Sequence, residues 1–154
     1  MASLLWLQGG ACSGNTMSFL NAEEPTACDL VTDFGIDVVW HPSPGVEMGD
    51  HVKPQLSDIV SGRKPLDIFV FEGTVIRAPH GTGRWNMFAD RPMQDWVAEL
   101  AGVANAVVAL GDCDCWGAFP PRLRIRPIRS ASSISRRPEG AFSGRTSRAS
   151  GACR

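Results

Sequence analysis

Two cysteines sit in glycine-rich turns that each follow an apolar run: Gly9-Gly10-Ala11-Cys12-Ser13-Gly14-Asn15 and Gly111-Asp112-Cys113-Asp114-Cys115-Trp116-Gly117. Deprotonated cysteine is the ligand an iron–sulfur cluster requires, normally as four thiolates on such loops, and glycines let the backbone approach the inorganic sulfides. A thiolate at a helix N-terminus also gains from the helix dipole and its unpaired N–H groups. A third strand end carries Glu72-Gly73-Thr74. Two cysteines on convergent loops are more often unrelated small core or loop residues, so the pattern alone does not establish a cluster.

The other reactive residue types read more plainly. Cys28 falls in a helix-like stretch and is expected as a buried apolar residue, and Cys153 is expected to have no role. His41, just before Pro42, is expected to cap a strand end rather than bind metal. His80 lies in the polar turn Ala78-Pro79-His80-Gly81-Thr82-Gly83-Arg84, which reads as a solvated turn or as a partner-facing surface. Trp85, Trp96 and Trp116 are expected as core or interface aromatics.

Four short apolar runs position these loops. Ser3–Gln8, Ile36–Trp40, Leu66–Phe71 and Ala106–Leu110 read as strands. Between them, Met17 to Phe34 is amphipathic, Asp50 to Ser61 has helical spacing, and Pro92 to Gly102 reads as a helix with proline at its start and glycine at its stop. Strands apolar enough to be buried on both faces, alternating with helices, predict a parallel α/β sheet with flanking helices. Ligands of such sheets bind outside the carboxyl ends of the strands, which puts Cys12, Glu72 and Cys113 on one edge.

The 154 residues divide into a partial α/β domain, residues 1–121, and a basic tail, residues 122–154. The net charge of −1 conceals the split: the first part nets −9 and the tail +8. The tail has no period and few large apolar residues, so it is expected to be disordered. Neither part suggests a nucleic-acid partner. The start shows no charged export signal, and the longest apolar run is too short to span a bilayer, so a cytoplasmic protein is expected, with any membrane association coming through partners. In that compartment the five cysteines read as thiols or metal ligands rather than disulfides.

Trp6-Leu7-Gln8-Gly9-Gly10-Ala11-Cys12-Ser13-Gly14 followed by Asn21-Ala22-Glu23-Glu24-Pro25 resembles the start of [NiFe]-hydrogenase small subunits. Leu66 to Val75, then Gly111-Asp112-Cys113 with Trp116-Gly117, looks like that family's next two landmarks in order. The stretch from Arg77 to Pro92 resembles the actinobacterial-type, oxygen-insensitive subgroup. The resemblance covers residues 3–117. It implies an incomplete flavodoxin-like domain docked on a nickel–iron large subunit, with Cys12 and Cys113 as ligands of the proximal [4Fe-4S] cluster and Glu72 close to that cluster and the subunit interface. The implied function is to relay electrons from hydrogen oxidation, which the large subunit performs; the isolated chain is expected to be inactive.

The chain departs from the family pattern in two places. The usual Cys-x-x-Cys is here Cys12-Ser13-Gly14-Asn15, so one thiolate is missing. Cys115 is one candidate replacement; Glu47, Asp50, Glu72, Asp112 and Asp114 are carboxylate candidates, and an oxygen ligand would alter the cluster's potential. After Gly117 the family pattern breaks into the Arg-, Ser- and Pro-rich tail, from which we expect a truncation or a shifted reading frame near residues 117–121. Three further readings compete: a flavin- or nucleotide-binding flavodoxin-like module with phosphate on Ser13-Gly14-Asn15-Thr16, the related quinone-reductase subunit of respiratory complex I, whose adjacent cysteines are absent here, and a non-functional pseudogene fragment.

Overall fold

The computed structural model describes residues 1–116. The tail, and with it the expectation of disorder or a shifted frame, lies outside the described residues. Among the described residues, six strands and five α-helices run in the order β1 (Ala2–Gln8), α1 (Gly14–Leu20), α2 (Asp29–Thr32), β2 (Ile36–Trp40), α3 (Lys53–Val60), β3 (Ile68–Glu72), β4 (Met87–Phe88), β5 (Arg91–Pro92), α4 (Met93–Val103), β6 (Ala106–Leu110) and α5 (Asp112–Trp116). A short 3-10 turn, Gly49–His51, precedes α3.

The expected parallel α/β sheet is present. Its order is β2-β1-β3-β6, with every neighbouring pair parallel. This is the arrangement of the first four strands of a flavodoxin-like sheet. Successive side chains of a strand point to opposite faces, and β1 is buried on both: Leu5 and Leu7 face one side, Leu4 and Trp6 the other. The first side is thick. Leu56 and Ile59 of α3 and Met93, Trp96, Val97 and Leu100 of α4 close over Leu5, Leu7, Phe69 and Phe71. The second side is thin, with Phe19 of α1 packing on Leu4, Trp6 and Val70. At the amino edge, Asp67 fastens the strands together. It accepts the Ser3 backbone N–H at 2.8 Å and the Asn105 side-chain amide at 2.9 Å, and these bonds hold its carboxyl below the usual range against a smaller opposing effect of burial.

The structure corrects several expectations. The amphipathic stretch from Met17 to Phe34 is two helices: α1 ends at Leu20, and Pro25, which disfavours helix at the residue before it, lies in the connection to α2. Thr26 and Asp29 start α2 with a reciprocal pair: the Thr26 N–H donates to Asp29 Oδ2 at 2.6 Å, and the Asp29 N–H to Thr26 Oγ1 at 3.3 Å. Cys28 therefore lies at the beginning of a short surface helix and is exposed, where a buried residue was expected. β2 and β6 are only partly buried, where strands buried on both faces were expected, because among the described residues each has a strand neighbour on one side only. Of the aromatics expected in core or interface, Trp96 is buried at 1% and Trp85 is 74% exposed.

Candidate functional site

The order β2-β1-β3-β6 places the chain's change of direction between β1 and β3, the position where open α/β sheets leave a crevice at their carboxyl edge. In register there, Gln8 of β1 pairs with Glu72 of β3, and Glu72 with Leu110 of β6. The three loops that follow these residues are the three singled out by sequence. Cys12 is on the first and exposed; Cys113, on the last, is half-buried in α5, which packs on β3 and β6. Glu72 stands between them at 1% exposure.

Backbone-to-backbone closeness holds the loops together. Gly10 N–H donates to the Thr74 carbonyl at 2.9 Å, and Thr74 N–H donates back to Gly10 at 3.2 Å. Gly73 has φ +94°, and a side chain on it would meet Ala11 at 2.5 Å. On the far side Gly111, at φ +87°, faces the Asn15 side chain so closely that an added Cβ would be 2.2 Å from its amide nitrogen. Asn15 is three residues from Cys12 and Gly111 two from Cys113, so the two cysteine loops meet through this contact.

Glu72 is the most heavily bonded side chain of the edge. Its carboxylate accepts from the Asn15 N–H at 3.1 Å, the Thr16 N–H at 3.4 Å, the Gln8 amide at 2.9 Å and the Thr16 hydroxyl. Burial pushes its pKa up. The bonds from Thr16, Gln8 and Asn15 together outweigh that push and hold the carboxyl below its ordinary range. Glu72 is therefore an anion at neutral pH, and it occupies the N–H groups at the start of α1. This revises the sequence reading in two respects. The N–H groups of Asn15 and Thr16 serve Glu72 rather than a thiolate. A phosphate on Ser13-Gly14-Asn15-Thr16 would meet a buried carboxylate already in its place, which counts against the flavin or nucleotide reading.

The remaining candidates are scattered. Glu47, Asp50 and Asp112 are exposed, and Asp114 is half-buried, its carboxyl pushed up to about 6 by burial against a backbone hydrogen bond at Leu110. The side chain of Cys115 lies outside the described residues. His41 caps the end of β2 as expected: its Nδ1 accepts the Ser43 N–H at 3.0 Å, and its ring packs on Trp6 at 4.7 Å. Burial lowers its pKa and the negative charge of Glu72 partly offsets this, leaving a neutral imidazole. His80 is exposed in its turn at φ 51°. A cavity of about 430 Å³ lies between α1, α2 and β2, lined by Leu4, Trp6, Phe19, Cys28 and Trp40; neither Cys12 nor Cys113 reaches it.

The edge thus offers two thiols, one exposed and one half-buried, on touching, glycine-bearing loops. That fits one side of an iron–sulfur cluster, and it is half of the usual thiolate set. Among the described residues no group of three His, Cys, Asp or Glu is arranged to hold a metal ion.

What sequence reasoning missed is the hub formed by Gln8, Thr16 and Glu72, and the small β4–β5 hairpin. The hub did carry a signal: Gln8 and Glu72 are polar residues ending two strands otherwise built to be buried.

Residues 12–138 match the profile of the NADH ubiquinone oxidoreductase 20 kDa subunit family, and the chain belongs to that family. Hydrogenase chains are among the proteins it is similar to. Over 38 residues the chain is 82% identical to the cytochrome c3 hydrogenase small chain of Acidithiobacillus ferrooxidans, covering 25% of this chain and 95% of that one. Among solved structures, the Ni-Fe-Se hydrogenase of Desulfomicrobium baculatum superposes with a TM-score of 0.67 at 25% identity, over 77% of this chain and 45% of that one. The actinobacterial-type NiFe-hydrogenase of Ralstonia eutropha H16 gives 0.64 at 25% identity, over 77% and 38%. The chain spans less than half the length of these two relatives. The resemblance to hydrogenase small subunits, the actinobacterial type among them, therefore holds in sequence and in fold.

Proposed function

We propose that this chain is the N-terminal, cluster-holding part of a [NiFe]-hydrogenase small subunit, acting in the cytoplasm as an electron relay for a nickel–iron large subunit. The observation that carries this reading is the placement of Cys12 and Cys113 on touching loops at the switch point of the sheet, with Glu72 between them. In this reading Cys12 and Cys113 supply two thiolates to a proximal [4Fe-4S] cluster, and Cys115 or one of the carboxylates Glu47, Asp50, Glu72, Asp112 and Asp114 stands in for the thiolate missing from the first motif. Bound there, such a cluster takes up and passes on single electrons.

The chain's own contribution is positioning. Glu72 fixes the start of α1, Gly73 and Gly111 allow the loops to close on one another, and the stiff sheet holds the thiols at one edge. The large subunit is the expected partner, since oxidation of hydrogen belongs to that subunit. A flavin module is the second reading, and the buried anion at the Ser13–Thr16 loop weighs against it.

The absorption spectrum of the anaerobically purified 154-residue chain, after incubation with iron and sulfide, tests the proposal. A broad brown absorption bleached by dithionite is expected. Resolved yellow flavin bands, or a colourless protein, would contradict it.

A further inference from the structure

One residue of the carboxyl edge is bonded to both sides of the Cys12 loop. Gln8 ends β1, and its side-chain amide donates to Thr16 Oγ1 at 2.6 Å and to Glu72 Oε2 at 2.9 Å. Its carbonyl Oε1 accepts the Ser13 hydroxyl at 3.2 Å. The orientation of the amide follows from its partners, because only the NH2 end can face a carboxylate and only the oxygen can serve here as acceptor for the Ser13 hydroxyl. Ser13 directly follows Cys12 and holds φ at 61°, a left-handed conformation unfavourable for a residue with a Cβ. Such a conformation persists only where the surroundings hold it. The Ser13 side chain makes no cap to α1; its hydroxyl goes to Gln8 instead.

We propose that Gln8 is the positioning residue of the Cys12 thiol: through Ser13 on one side and Thr16 and Glu72 on the other, it holds the loop in the turn that presents Cys12 at the sheet edge. Gln8 touches no ligand and acts through its neighbours. Glu72 supplies the anchor, since it is buried and also binds the backbone of Asn15 and Thr16. Thr16, 1% exposed, relays between them: it accepts from Gln8 and donates to Glu72. Without Gln8 the Ser13 hydroxyl loses its partner, and the left-handed turn loses the bond between it and the strand. The inference deepens the proposed function by naming what orients one of its thiols, and its test is independent of whether iron is bound.

The test is the alkylation rate of Cys12 by iodoacetamide in the metal-free 154-residue chain, read by peptide mass spectrometry against Cys28. Cys28 is exposed, and it lies at the start of α2, outside this network, so it is an internal reference for reagent and pH. Gln8→Met removes the amide at nearly constant volume, Ser13→Ala removes only the outer bond, and Gln8→His restores a donor and an acceptor. The Cys12-to-Cys28 rate ratio is expected to change at least about threefold, in the same direction, in Gln8→Met and Ser13→Ala, and to return to within about twofold of wild type in Gln8→His. Should Gln8→Met fail to fold, Ser13→Ala still decides, because it leaves the buried bonds to Thr16 and Glu72 in place. Unchanged ratios in the folded variants, or a Gln8→His ratio no different from that of Gln8→Met, would overturn the proposal. Failure of the wild-type chain to take up iron would sink the cluster reading and leave this result standing.

Discussion

Replacing Glu72 with leucine is expected to lower the unfolding free energy by about 3 kcal/mol. The side chain is fully buried, and four donors converge on it: two backbone N–H groups, the Gln8 amide and the Thr16 hydroxyl. A leucine fills the space and leaves all four without their acceptor, and unpaired buried donors cost more than the net worth of the bonds they made. Glu72→Gln is expected to fall between wild type and leucine, because its amide nitrogen would confront other donors.

The same substitution has a pH signature. The folded pKa of Glu72 lies below its value of 4.5 in an unfolded chain. Its stabilisation is therefore complete above that pH and is lost as pH falls through the folded pKa. Asp67 and Glu99 are shifted in the same direction, so wild type loses stability in acid for several reasons, and Glu72→Leu should lose less. Urea melts at about pH 7 and about pH 3 measure this. Equal acid losses in both proteins would show that Glu72 carries no such bonds in solution.

Trp96→Ala is expected to cost about 4 kcal/mol, the upper range for emptying a core aromatic site. Trp96 lies at the centre of the thick side of the sheet at 1% exposure. Its indole N–H donates to the Phe88 carbonyl at 2.9 Å, which fastens the β4–β5 hairpin to α4. Arg91 stacks over the ring at 4.5 Å, held there by two bonds to Glu99 at 2.9 and 2.6 Å. Phenylalanine at this position retains most of the volume and loses the hydrogen bond, so Trp96→Phe should cost about 1–2 kcal/mol. A thermal shift near zero for the alanine variant would mean that α4 does not cover the sheet as described.

The strands were legible because each is a short apolar run; the sheet buries the two central ones on both faces, as Leu4 to Leu7 and Phe69 to Phe71 show, while β2 and β6 stay partly exposed. α4 was legible from the spacing of Met93, Trp96, Val97 and Leu100. The break between α1 and α2 was visible as Pro25, yet the apolar spacing on either side outweighed it in the reading, and Cys28 was misplaced as a consequence. The β4–β5 hairpin has two residues per strand and turns at Ala89-Asp90, both with positive φ. It offers neither a period nor a glycine to mark it.

At the site, the edge position of Cys12, Glu72 and Cys113 followed from the alternation of strands and helices alone. What Glu72 does there did not. Its partners are 56 to 64 residues away, and their meeting depends on the register of β1 with β3, in which Gln8 lands opposite Glu72. Sequence spacing carries no register between strands that far apart, so a residue that looked available to a cluster emerged as the anchor of a loop.

The measurement that bears most directly on the account is the iron and acid-labile sulfide retained by the 154-residue chain after anaerobic reconstitution and desalting, compared with Cys12→Ser, Cys113→Ser and Cys28→Ser. Retention by wild type and by Cys28→Ser is expected, with a drop of at least about fivefold in each of the other two. Equal retention in all four proteins, or a loss confined to Cys28→Ser, would contradict a cluster at the carboxyl edge of this sheet.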